Sequence, residues 1–175
     1  MKKLFILLLL ALFSIPFFFK NQTKTQPQTP PTDLQSDEVH IHAGFQVYNN
    51  NALMDFSDFK YMHQQPCSEE EDHDQKDEQI EKAHLHSGIG NIDHVHLSGS
   101  LWKDLFQNIN VQIDPSASAF INTTPVPDFL NTPINNYDSL VIFQGENDQI
   151  DIKISNAVTK DQIIQAESSI ESCGK

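Results

Sequence analysis

Arginine is absent from the chain: all eleven basic residues among the 175 are Lys, against 24 Asp and Glu. Three of those Lys fall in the first twenty residues, where there is no acid, so eight Lys face 24 acids beyond them, a net −16. A surface this acidic repels phosphate backbones, and without Arg there is no bidentate fork for phosphate or guanine. Nucleic acid is excluded as a partner, and divalent cations are the natural ones. Cysteine is nearly absent, with two residues and no Cys-x-x-Cys, and the six Gly form no phosphate-cradling loop. The length allows one ordinary domain with flanking sequence, which excludes a multidomain enzyme. With 38% hydrophobic residues and twelve Phe the chain can still bury a core.

The one long hydrophobic run lies at the N-terminus. Lys2-Lys3 precedes an apolar stretch from Leu4 to Phe19, broken only by Ser14 and Pro16, and Lys20 closes it. It is longer than a usual signal core and a little short of the ~20 residues that span a bilayer without strain. No small-x-small cleavage site lies near its end, so residues 1–20 are expected to be an uncleaved membrane anchor, the alternative being a cleaved signal and a secreted product. Either way the chain beyond Lys20 is exported, with Lys2 and Lys3 on the cytoplasmic side of an anchor. Residues 21–38, polar and rich in Pro and Thr, read as a solvated tether. Residues 39–175 then form a single exported globular domain.

Within that domain Val39 to Val47 alternates with period two, placing Val39, Ile41, Ala43, Phe45 and Val47 on one face and His40, His42 and Gln46 on the other. Asn49 to Asn51 is turn chemistry, and Ala52 to Phe56 can return as a hairpin partner. Ser68 to Lys82 is an acidic run, read as a solvated loop or exposed helix. Ala83 to His86 and Ile92 to Leu97, separated by Ser-Gly-Ile-Gly-Asn, suggest a second hairpin. Leu101 to Ile109 carries an apolar stripe at helical spacing with Ser100 as a candidate N-cap. Val111 to Ile113, Ala119 to Ile121 and Leu140 to Phe143 are short strand candidates, and the tail has helical spacing in parts. The expected fold is α+β: a small mixed or antiparallel sheet with hairpins packed on one central helix, in an arrangement such as a β-grasp, with a C-terminal helical segment.

Six of the eight His form three His-x-His pairs: His40/His42, His84/His86 and His94/His96. About 0.4 such pairs are expected when eight His are scattered at random, so three is an excess that asks for a cause. On a strand both imidazoles of a pair point to one face while Ile41, Leu85 or Val95 points to the other. Alternate residues on a strand are about 7 Å apart, and two imidazoles leaning together reach one metal at about 2.0 Å. All six are therefore candidate ligands for a transition metal, with the sheet face opposite the helix as their expected place. Imidazole-rich sites suit Zn, Cu, Fe or Ni. Met54, Met62 and Cys67 could add a soft ligand, although Met54 and Met62 read first as core. Asp55 and Asp93 are candidate acceptors that would orient a ring N–H. His63 and His73 are weaker candidates.

The strings HIHAGFQVYNNNALMDFSDFKYM and HLHSGIGNIDHVHLSG, with SLWKDLF, DSLVIFQG and the closing SCG, resemble a family of N-terminally anchored, exported proteins of archaea and of bacteria with reduced genomes. The likeness covers about Val39 to Gly174. It implies an extracytoplasmic domain with a metal-binding role and supplies no catalytic residues. Some members bear a protein-disulfide isomerase label, whose chemistry this chain lacks for want of Cys-x-x-Cys. Cys67 and Cys173, in an exported segment, are expected to form a structural disulfide, the competing reading being Cys67 as a metal ligand.

Three functions remain. A membrane-anchored binding module that captures or delivers copper or zinc fits the anchor, the acidity and the His excess, and a metal-handling protein is then a natural partner. A metal-dependent enzyme, a zinc hydrolase or a copper redox enzyme, could use the six His in two sites or a dinuclear one, but no convincing general base beyond Asp93 and no nucleophile motif accompany them. A thiol-disulfide oxidoreductase is the weakest of the three.

Overall fold

The computed structural model describes residues 38–63 and 78–170. The expected anchor, all of the tether before Glu38, His73, Cys67 and Cys173 lie outside those residues. Among the described residues no helix is long and apolar enough to cross a membrane.

The alternating segment that begins the domain is strand β1 (Glu38–Asn49), the longest among the described residues. Asn50 and Asn51, both at positive φ (49° and 70°), turn it into the two-residue strand β2 (Ala52–Leu53), with Asn49 opposite Ala52. A two-residue turn with both φ positive matches the right-handed twist of the strands it joins, and Asn tolerates that conformation. The same edge of β1 takes β3 (Ile92–Leu97) antiparallel, in register His42 opposite His94 and Ile41 opposite Val95. Its other edge takes β6 (Ser139–Gln144) in parallel, from Gly44 opposite Ser139 to Asn49 opposite Gln144. Beyond β6 lie β4 (Ser118–Ile121) and β5 (Thr124–Pro125), so the sheet is mixed and runs β2-β1-β6-β4-β5 with β3 beside β1.

Helices cover both faces, which makes the protein α+β with a mixed sheet. The acidic run ends in the short helix α1 (Glu78–Lys82), and on one face of the sheet α2 (Trp102–Asn108) buries Trp102, Leu105 and Phe106 against Ala43, Phe45, Val47, Val95, Leu140 and Ile142. Each such large apolar side chain contributes roughly 1.5–3 kcal/mol. On the other face lie the C-terminal helices α3 (Ile150–Ser155) and α4 (Lys160–Ile170). Val158, Ile163 and Ala166 pack on Ile92, while Ile150 and Ile154 pack near Tyr48, Val141 and Phe143. A strand covered on both faces has no polar side to show, hence the unbroken apolar run of β6.

Two local expectations are corrected. Ser100 does not cap α2: its hydroxyl donates to Leu97 O at 2.7 Å, while the Asp104 carboxylate accepts the Leu101 amide at 2.8 Å and places negative charge at the helix start. Val111 to Ile113 is not a strand, because the Val111 amide donates back to Phe106 O at 2.9 Å and closes the helix end. Both side chains still meet the core.

Gly44 marks where the C-terminal segment lies flat on the sheet. A Cβ there would sit 2.6 Å from both Cβ and Cγ1 of Val158, with both partners on packed backbone. Gly44→Ala is expected to destabilise the fold by about 1–3 kcal/mol, the usual cost of overpacking, read as a lower urea midpoint. An unchanged midpoint would mean that Val158 is not held against β1.

Candidate metal centre

The three His-x-His pairs come together because three chain segments lie side by side. His42 on β1 pairs His94 on β3, and His94 pairs His84 through two backbone hydrogen bonds, His84 N to His94 O at 3.0 Å and His94 N to His84 O at 2.9 Å. His84, His94 and His42 thus form one row across the sheet. Alternation puts His86, His96 and His40 on the same face, one pleat away. This is the face opposite α2, as expected from sequence. The far edge of β1 is fixed at this point by the Asn135–Asp138 turn: the Tyr137 amide donates to His42 O at 2.8 Å, and Asn136 Oδ1 accepts the His42 amide at 3.1 Å. The β1–β3 register shifts between Glu38 and Ile41, so His40 sits in an irregular stretch at the exposed margin.

His94 is the hub. Its ring centroid lies 4.4 Å from His42, 4.4 Å from His96, 4.6 Å from His40, 4.7 Å from His86 and 5.2 Å from His84. Two triads can each hold a metal ion, His40/His42/His94 and His84/His94/His96, with the ligand atoms of each within 4.8 Å of one another. Nitrogens about 2.0 Å from one tetrahedral ion sit roughly 3.3 Å apart, so closure needs shifts on the order of 1 Å.

The electrostatics favour ligation over protonation. His42, His84, His86 and His94 are buried. Burial, and then repulsion from neighbouring imidazoles, pushes His42 and His86 down to about 4. Burial takes His84 to about 3 although the Ile80 carbonyl pulls the other way, and burial together with four surrounding imidazoles depresses His94 as well. At neutral pH these rings are uncharged and their lone pairs are available. Both ring nitrogens of His42, Nε2 of His84 and Nε2 of His94 have no hydrogen-bond partner among the described residues. Leaving a buried polar group unpaired costs about 1–3 kcal/mol, so four such nitrogens in one cluster suit a shared partner, a place that a metal ion is able to fill.

Neither predicted carboxylate orients a ring. Asp55 is exposed, and its Oδ1 accepts the Ser57 amide at 2.9 Å. Asp93 is fully buried on the α2 side of β3, since neighbours on a strand point to opposite faces. Burial raises its pKa well above the usual carboxylate range and Asp104 adds to this; the nearby His94 and His84 amides, which oppose the shift, are committed to each other's carbonyls. The orienting groups lie elsewhere: the Ile80 carbonyl sits 2.9 Å from His84 Nδ1, and the Ser87 hydroxyl 3.2 Å from His86 Nδ1. Met54 and Met62 pack against the main core rather than the His face. His63, a minor candidate from sequence, lies edge-on to His84 at 5.2 Å because Met62 pairs with Leu85.

Glu167 is the residue that the sequence did not suggest. Its Oε1 lies 3.7 Å from His42 Nδ1, and its Oε2 accepts the Tyr137 hydroxyl at 3.2 Å. A metal on His42 Nε2 would leave Nδ1–H facing this carboxylate, the arrangement that fixes a ligand's tautomer. Glu167→Gln is expected to weaken metal binding at the His40/His42/His94 triad by about 10-fold, measured by competition with a chromophoric chelator. Unaltered affinity would make Glu167 a bystander.

A cavity of about 370 Å³ lined by Met54, Asp55, Phe56, Ile89 and Gly90 contains none of these imidazoles, and Asp55 is its one ionisable side chain. It offers no acid–base pair. Fold and side chains together define an α+β domain with a polyhistidine face able to hold metal ions. No known protein family, curated protein or solved structure matches the chain.

Proposed function

We propose that the protein captures or delivers a transition metal, copper or zinc, outside the cytoplasmic membrane, to which the apolar segment of residues 1–20 anchors it. The reading rests on the two triads whose ligand nitrogens lie within 4.8 Å of one another. Neutral imidazoles are borderline ligands that suit Cu and Zn, and with hard oxygen donors absent from both triads Ca and Mg are poorly served. The acidic chain raises the local concentration of cations without selecting among them. Binding is favoured over catalysis because the cluster is made of ligands and the groups beside it are placed to orient them: Glu167 faces His42 and Ser87 faces His86, while Asp93 is buried on the far face. Anchorage, export and a metal-handling partner follow from the sequence reading.

A ligand that binds only the folded state stabilises it by about 4 kcal/mol at a thousand times its dissociation constant. Added Zn is therefore expected to raise the melting temperature of metal-free protein by roughly 10 °C or more, reversibly with EDTA. A melting temperature indifferent to Zn, Cu and EDTA would contradict metal binding by the folded domain.

A further inference from the structure

Resting on the metal-binding reading above, and extending it, we propose that His94 bridges two metal ions as an imidazolate, one ion held with His40 and His42 and the other with His84 and His96. Three observations converge. Both triads include His94, and no other residue belongs to both. β3 lies between β1 and the segment carrying His84 and His86, so the His94 ring has imidazoles on each flank. Its two nitrogens are also differently engaged: Nδ1 lies 2.6 Å from His86 Nε2, on the flank away from β1, while Nε2 is buried without a partner.

The two ring nitrogens of an imidazole point more than a right angle apart, so with Nδ1 turned to His86 the unpartnered Nε2 is directed away from it. An ion entering at Nδ1 takes the place of the proton shared with His86 and gains His86 as a further ligand beside His84 and His96. The second ion takes Nε2. One ring can bind two ions only as the anion, and that shared proton is the single N–H proton of a neutral His94, so it leaves to bulk water while His86 keeps its own proton on Nδ1 beside the Ser87 hydroxyl, and no electron changes hands. The negative charge created between the cations offsets their mutual repulsion, which is severe in a poorly hydrated site. Three or four His at each ion leave room for an exogenous ligand on the His40 side, where His40 is exposed.

The probe is Cu(II), titrated into full-length, metal-free protein in detergent and a non-chelating buffer, with bound copper counted by elemental analysis and spins by EPR. Bridging predicts two Cu per chain and, at two equivalents, an EPR intensity well below two spins because the imidazolate couples them. His40→Ala, at an exposed position in the triad that has no fourth imidazole, is expected to drop the stoichiometry to one and restore a full uncoupled signal. Two fully visible, uncoupled Cu would overturn the bridge. One Cu per chain would overturn the dinuclear centre while leaving metal binding intact. No bound Cu would overturn metal binding itself, and the bridge with it.

Discussion

Replacing His94 with Ala is expected to lower affinity at both triads by more than 100-fold, whereas His40→Ala weakens only one. Loss of an outer hydrogen-bond partner already costs a metal site 10–100-fold, so loss of a shared ligand exceeds that range. The metal-free protein responds differently. The substitution leaves a cavity in a packed row between His84 and His42, which destabilises, but it also removes a buried ring nitrogen that has no partner, which stabilises. These terms oppose each other and leave a net change within about 2 kcal/mol. Under saturating Zn the gap between wild type and variant widens by the whole linkage term, about 4 kcal/mol at a thousandfold excess over the dissociation constant. Thermal melts of both proteins with Zn and with EDTA measure the four quantities. A variant that keeps the full Zn-induced shift would remove His94 from the centre.

Acid is expected to unfold the metal-free protein from an unusually high pH. An unfolded chain protonates each His near 6.5, but His42 and His86 are held at about 4 and His84 at about 3 in the fold, with His94 also depressed. Above pH 6.5 both states are neutral at these positions and nothing is lost. As pH falls below 6.5 the unfolded chain binds protons that the folded one refuses, so stability drops until the folded imidazoles themselves protonate. The slope is up to about 1.4 kcal/mol per pH unit for each ring. Asp93 acts in the opposite sense: its folded pKa is raised, so stability falls as pH rises above the unfolded value of 3.8. One carboxyl against four imidazoles leaves the net slope with the histidines. Urea midpoints of metal-free protein are expected to fall steeply from pH 6.5 down to 4.5, and from 6.5 up to 7.5 to show only the shallower opposite fall that Asp93 contributes. A level profile down to pH 4.5 would mean that the rings are not buried neutral.

Much of the site was legible because strand alternation is a strict geometric rule. Three His-x-His pairs with apolar middle residues determine that both rings of a pair share a face, and the Ser-Gly-Ile-Gly-Asn turn brings two pairs together locally. The helix over Trp102–Asn108 and the β6 strand were equally plain from their apolar spacing. The same rule applied one residue further would have removed Asp93 as an orienting group, since it precedes His94 on the strand and must point away. Other features depend on long-range packing. That β1 pairs with β3, and so delivers His42 to His94, is decided by which edge of a two-sided core each strand fills. Glu167 lies in a tail helix whose docking on Ile92 carries no local pattern. A Ser before a helix can equally bond the strand behind it, as Ser100 does with Leu97 O, and here the Asp104 carboxylate takes the capping role.

The most direct measurement is elemental analysis of the full-length protein after incubation with Cu or Zn and desalting, beside a variant with His94 and His96 both changed to Ala. Metal capture by the His face predicts stoichiometric metal on the natural chain and its loss from the folded variant. A folded natural chain that retains no metal, or a variant that retains as much, would contradict it.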